Sequence, residues 1–145
     1  MDENGALLKA IAENLKSGSD GLVAAASKAD DRFLMREITC RLDGYARLAR
    51  ECEDKMRLAG EDVPKYPVTK KLRTRGALAV GTALDGTTER LASILAKGAS
   101  SAANSLERRL TGCAESAGDD AVALCRSVIE FERETAGGFT DFTVS

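Results

Sequence analysis

The sequence contains no histidine, and this absence removes several classes of active site. A Ser-His-Asp or Cys-His catalytic site needs an imidazole, and zinc sites use histidines or closely spaced cysteine pairs. The four cysteines, Cys40, Cys52, Cys113 and Cys125, form no Cys-x-x-Cys pair. Cys40 and Cys52 are separated by about 18 Å along one predicted helix, which is too far for a disulfide. We therefore interpret the cysteines as reduced thiols in or near the core, with an activated cysteine nucleophile as the alternative.

The chain also lacks a strong net charge, a long apolar run and a basic N-terminus. Its 21 basic residues nearly balance 23 acidic ones, giving a net charge of −2 over 145 residues, so nothing favours a nucleic-acid partner. No stretch approaches the roughly 20 apolar residues of a membrane span, and Asp2 and Glu3 make the start acidic where a signal peptide is basic. We expect a cytoplasmic protein with no nucleic-acid or membrane partner, while a homo-oligomer or a protein partner stays open.

Prolines and other helix breakers fall at a few points between long periodic stretches. Gly60 is placed to end one helix in a left-handed conformation, and Gly137 and Gly138 are placed to end the last one. The weakest predicted helix could equally run into the next one with a kink. A single domain, residues 1–145, is predicted to contain helices at about 4–28, 31–59, 68–84, 87–113 and 119–136.

Each long predicted helix has a three-four spacing of apolar residues, which lines one face. Leu42 lies on this face of the second helix and Leu124 on that of the last, where Phe131 and Thr135 continue it. Helices of this kind must bury their apolar faces against one another, and short loops make neighbours antiparallel. We therefore predict an all-α fold: an antiparallel four-helix bundle made of two helical hairpins, with a short extra connecting helix.

Bundles of this shape often hold two metal ions between carboxylates and Glu-x-x-His pairs that point inward. The nearest approaches to that motif are residues 37–40 and 130–133, in which Cys40 and Arg133 occupy the histidine position. The apolar faces place the acids that could contribute at outward positions: Glu13, Asp20, Glu37 and Glu130. We therefore predict no catalytic residue, no cofactor-binding residue and no metal ligand, with a site of non-standard carboxylates as the alternative.

Two further features leave binding functions open. The first is a positive cluster that fits a phosphate or an acidic partner, or else solvated side chains: Lys65, Lys70, Lys71, Arg73 and Arg75. The second is residues 98–105, which are almost free of bulky side chains. They permit tight packing of a neighbouring helix or leave room for large side chains such as Phe33, Tyr45 or Phe131. The alternative is a cavity that admits a small apolar ligand.

The layout, two long helices followed by a short one and two more, resembles a bacterial ferritin-like family of unknown function. The resemblance covers residues 6–139 and includes the stretches 88–100 (TERLASILAKGAS) and 128–134 (VIEFERE). It implies a ferritin-like fold. Because the sequence departs from Glu-x-x-His at each ligand position, the resemblance does not imply ferroxidase activity. We expect a metal-free structural, interaction or regulatory module, with a homodimer as one form it can take; the alternatives are a small apolar ligand carrier and a metal-dependent enzyme with non-standard ligands.

Overall fold

The computed structural model describes residues 2–63 and 87–143. Within these ranges the regular structure is entirely helical, in four helices: α1 (Glu3–Ala26), α2 (Arg32–Leu58), α3 (Thr88–Cys113) and α4 (Asp119–Thr140). The predicted helix at 68–84, its junction with the following helix and the basic cluster at 65–75 lie outside the described residues. None of the described helices is long and apolar enough to cross a membrane.

Local sequence explains where the helices begin and where α2 ends. The side chain of Asp31 accepts hydrogen bonds from the backbone N–H groups of Phe33 and Leu34, both at 2.9 Å, and so caps the start of α2. At the other end Gly60 has a φ of 75°, as the sequence predicted. The N–H of Glu61 then donates to the carbonyl of Met56 at 2.8 Å, which closes the last turn of α2.

The end of α4 corrects one prediction. Gly137 and Gly138 were expected to stop this helix at residue 136, but it continues to Thr140. Phe139 is fully buried, and its packing outweighs the low helix propensity of the two glycines. Gly138 also permits a close approach of α2, because a Cβ atom there would lie 2.5 Å from Glu37 Oε1.

The helices pack through the apolar faces that the sequence showed. α1 packs on α2 and α3 packs on α4, while α1 also contacts α3 and α4, and α2 contacts α4. The Cys52 thiol donates to the Leu8 carbonyl at 3.4 Å between α1 and α2, and the Gly118 N–H donates to Asn4 Oδ1 at 3.0 Å between α4 and α1. The largest fully buried side chains form one core: Leu7, Leu8, Ile11, Leu15, Leu22, Leu34, Ile38, Leu91, Leu124, Glu132 and Phe139.

Several positions differ from the predicted facing. Leu42 and Phe131 are only partly buried, and Phe33 is 54% exposed beneath the guanidinium of Arg32. Asp20, predicted to point outward, is 7% exposed and pairs with Lys16 one helical turn earlier at 2.6 Å. This ion pair compensates the Asp20 carboxylate for the hydration that it loses on burial.

We expect the two leucines that the sequence placed in the core to differ in their contribution to stability. Leu124 is 2% exposed, whereas Leu42 lies at the edge of the core. Leu124→Ala should lower the free energy of unfolding by about 3 kcal/mol, since it leaves a cavity, and Leu42→Ala by only about 1 kcal/mol. Urea denaturation of both variants tests this, and equal losses would contradict the burial pattern.

Candidate functional site

A cavity of about 460 Å³ lies among the helices and is the best candidate for a functional site. Gly98, Ala102 and Ser105 of α3 form part of its wall. They belong to residues 98–105, for which the sequence permitted either tight packing or a cavity. The volume falls within the range of about 300–1,000 Å³ of small-molecule sites. The wall opposite α3 is formed by side chains of the other three helices, including Asn14, Leu22, Tyr45, Glu132, Thr135 and Phe139.

Glu132 of α4 is fully buried and is held at the cavity wall by two other helices. Asn14 Nδ2 of α1 donates to Glu132 Oε2 at 2.9 Å, and the Tyr45 hydroxyl of α2 donates to Glu132 Oε1. No cation forms an ion pair with this carboxylate among the residues that the structure describes. The core of the bundle therefore contains an ionisable group that is hydrogen-bonded only to neutral donors.

Two glycines make room for the rings that surround this carboxylate. A Cβ atom on Gly18 would lie 2.6 Å from Tyr45 Cε1, so only glycine lets the tyrosine pass α1 and reach Glu132. Gly44 gives Phe131 the same space on α2. Phe131 then packs edge-on against Tyr45, with ring centroids 4.8 Å apart and an interplanar angle of 89°. The position of the Tyr45 hydroxyl is thus fixed by packing.

Burial controls the titration of both partners. It raises the pKa of Glu132 from 4.5 to about 7, although the hydrogen bonds from Tyr45 and Asn14 act in the opposite direction. Burial, and next the charge of Glu132, also raise the pKa of Tyr45, which therefore remains a protonated donor. Near neutral pH the carboxyl group is consequently divided between its charged and neutral forms.

Thr135 lies one turn after Glu132 and also lines the cavity. Its Oγ1 is buried without a hydrogen-bond partner, the one such side-chain atom in residues 2–63 and 87–143. Thr135 Oγ1 approaches the Tyr45 hydroxyl closely enough to lower the pKa of that phenol, but the contact does not reach hydrogen-bond geometry, so the threonine hydroxyl is left without a full partner. An unsatisfied buried hydroxyl costs about 1–3 kcal/mol, so a partner that enters the cavity would relieve this cost.

Glu132 was not predicted from the sequence, because the predicted apolar face of the last helix passed through its neighbour Phe131. The predicted face ran from Leu124 through Phe131 to Thr135, whereas the buried face of α4 passes through Cys125, Val128, Glu132, Thr135 and Phe139. These residues repeat with a three-four spacing, so periodicity alone could have placed Glu132 inside. The expectation of a core without acids was therefore wrong.

The side chains at this site do not fit the pair of metal ions that ferritin-like bundles often hold. Glu132 and Thr135 occupy the two positions of a Glu-x-x-His motif, with a hydroxyl in place of the imidazole. The other polar neighbours, Asn14 and Tyr45, are neutral and direct hydrogens at the carboxylate. Within the described part of the chain, no three acidic or cysteine side chains come together in a way that could hold a metal ion. A single carboxylate cannot balance the charge of two divalent ions.

Two of the four cysteines are unsuited to act as an activated nucleophile. Cys52, Cys113 and Cys125 are buried and Cys40 is exposed, and all four are free thiols. Burial is the main cause that raises the pKa of Cys52 and of Cys125 from 9.0 to about 11. Because the thiolate is the reactive form, these two side chains act as small core residues.

Comparison with known proteins gives no match: no family model, no curated sequence and no solved structure is significantly similar to this chain. The cavity and its chemistry are therefore the basis for assigning a function to this protein.

The raised pKa of Glu132 predicts an unusual dependence of stability on pH. The folded state holds its proton up to about pH 7 and the unfolded state only up to about 4.5, so stability falls as pH rises between these values. We expect the free energy of unfolding to fall by roughly 2 kcal/mol from pH 5.5 to pH 8 because of this group. Urea denaturation across this range tests it. Glu132→Gln should remove the fall, and a variant that keeps it would place the titrating group elsewhere.

Tyr45→Phe separates the hydrogen bond to Glu132 from the packing of the ring. The phenylalanine keeps the contacts with Gly18 and Phe131 but removes a donor that stabilises the charged carboxylate. We expect a loss of about 2 kcal/mol at pH 8, a smaller loss at pH 5.5, and a further rise in the pKa of Glu132. Carboxyl carbon NMR of Glu132 measures the pKa directly. Equal losses at both pH values would contradict this role.

Proposed function

We propose that this protein binds a small, largely apolar molecule in the cavity between its helices. The observation that carries the proposal is the buried pair of Glu132 and Thr135 on the wall of a 460 Å³ space. A bundle selected for stability alone would fill such a space with apolar side chains and keep no unsatisfied hydroxyl there. Binding would then stabilise the folded bundle, which makes the protein a carrier or a ligand-regulated module.

The ferritin-like fold and the antiparallel arrangement are part of this proposal. Leu8 contacts Cys52, and Gly18 contacts Tyr45, which supports opposite directions for α1 and α2. Residues 114–118 form a short connection that favours opposite directions for α3 and α4. Asn4 contacts Gly118 and Asn14 contacts Glu132, which supports the same direction for α1 and α4. Together these directions make α2 and α3 run parallel, as in ferritin-like bundles.

The cytoplasmic location and the protein partner also belong to the proposal. Four free cysteines suit a reducing compartment. Leu58 and Phe33 are 86% and 54% exposed, which supports contact with a second copy of this chain or with another protein. The two functions expected from the sequence, a metal-free interaction module and a ligand carrier, are then combined in one protein. Ligand binding would change the stability of the surface that the protein partner contacts.

Gly98 provides a way to block the cavity without disturbing the core. It lines the cavity, and a Cβ atom there meets nothing within 4 Å. In Gly98→Leu the new side chain should fill part of the cavity and exclude a ligand. Gly112→Leu is a matched control, because Gly112 lies in the same helix, also has open space at its Cβ and does not line the cavity. Both changes remove a helical glycine and should raise stability by up to about 1 kcal/mol.

Thermal denaturation with three n-octyl compounds tests binding: 1-octanol, octylamine and octanoate. We expect at least one of them to stabilise the wild-type protein and Gly112→Leu, and none to stabilise Gly98→Leu. At a hundred times its Kd a ligand adds about 2.7 kcal/mol, which raises Tm by several degrees. If no compound changes Tm, or if Gly98→Leu responds like the wild type, the cavity is not a binding site.

A further inference from the structure

The polar side chains around Glu132 lie toward one end of the cavity. This polar end contains Asn14, Glu132 and Thr135, together with Ser105, because the ion pair between Glu107 and Arg133 brings this part of α3 beside Thr135. The same register places the exposed side chains of Arg90 and Lys97 toward the other end, where Leu22 and Phe139 also line the cavity. Leu22 lies eight residues beyond Asn14 on α1, about 12 Å along the helix. Phe139 lies seven residues beyond Glu132 on α4 and therefore about 10 Å away in the same direction. A molecule that fills the cavity is thus elongated, with a polar group at one end.

The groups at the polar end offer hydrogen-bond acceptors. The carboxylate of Glu132 uses one lone pair on each oxygen for Asn14 and Tyr45, which leaves acceptor capacity on both. Thr135 Oγ1 makes no hydrogen bond. A ligand head group that matches this end must donate several hydrogen bonds, and an ammonium group donates three.

The negative charge of Glu132 favours a positively charged head group over a neutral hydrogen-bond donor. The hydrogen-bond partners of Glu132 are neutral, so its ionised form lacks a compensating cation, and a buried charge of this kind is costly until it is paired. The charged side chains that line the cavity on α3, Arg90 and Lys97, are exposed to solvent, and Arg41 of α2 is paired with Glu37. A positive head group would supply the missing charge.

We infer that the ligand is a primary amine with an apolar body, whose ammonium group is held by Glu132 and Thr135 while the apolar part extends toward Leu22 and Phe139. This inference depends on the proposed binding function and specifies its ligand class. Leu22 and Phe139 offer apolar contacts to the body of the ligand, and the polar end distinguishes the amine from alcohols and acids of the same shape.

The three n-octyl compounds also test this inference, because they share a chain and differ in the head group. In calorimetric titrations at pH 7.5 we expect octylamine to bind at least tenfold more tightly than 1-octanol and octanoate. Glu132→Gln should weaken octylamine binding roughly thirtyfold and change 1-octanol binding less than twofold. Glu130→Gln is the matched control, since Glu130 is an exposed acid of α4 that does not line the cavity, and it should leave both affinities unchanged.

A second variant keeps the test informative if Glu132→Gln fails to fold. Thr135→Val preserves the shape of the side chain and removes the unsatisfied hydroxyl. It should raise the Tm of the free protein and weaken octylamine binding roughly tenfold, a combination that a purely structural threonine would not give.

The pH profile separates the head groups. Octylamine affinity should fall as pH decreases from 8 to 5.5, because Glu132 becomes protonated, whereas 1-octanol affinity should stay constant. If 1-octanol binds as tightly as octylamine, or octanoate binds most tightly through Arg90 and Lys97, the cavity still binds small molecules but the amine assignment is wrong. If no n-octyl compound binds, the proposed function itself is overturned.

Discussion

The burial of one carboxyl group between two neutral donors is the constraint on which the centre of this bundle depends. Glu132 enters the core from α4, and Asn14 and Tyr45 reach it from α1 and α2, so a single group links three helices. Its desolvation is only partly offset by these hydrogen bonds, as the raised pKa shows. The arrangement is stable because the apolar residues above and below it, such as Ile11 and Phe139, exclude water over most of the core.

The cavity beside Glu132 follows from the small residues of α3. Gly98 and Ala102 remove bulk from one wall, while Gly18 allows Tyr45 to lie close to α1 instead of filling the space. Small residues therefore explain both features: the close packing of Tyr45 against α1 and the unfilled space next to α3. The same small residues that allow a close approach at one contact leave room for a ligand at another.

The sequence predicted the helices well because their apolar periodicity is strong and their ends are marked by capping residues such as Asp31 and Gly60. It failed where packing outweighs local preference. Gly137 and Gly138 do not end α4, since Phe139 is buried beyond them. The candidate site was missed for a related reason. The apolar spacing was continued through Phe131 instead of Glu132, and hydropathy cannot indicate that a carboxyl group has partners on two other helices.

The last turn of α4 is held in helical form by the insertion of Phe139, because the two glycines before it contribute little of their own. Phe139 also forms part of the wall of the cavity. A molecule that packs against this ring therefore stabilises the helical form of the last turn of α4. Conversely, unfolding of this turn removes Phe139 from the cavity wall and weakens binding. The backbone amides of Gly137 and Gly138, which do not line the cavity, thus become reporters of its occupancy in hydrogen exchange.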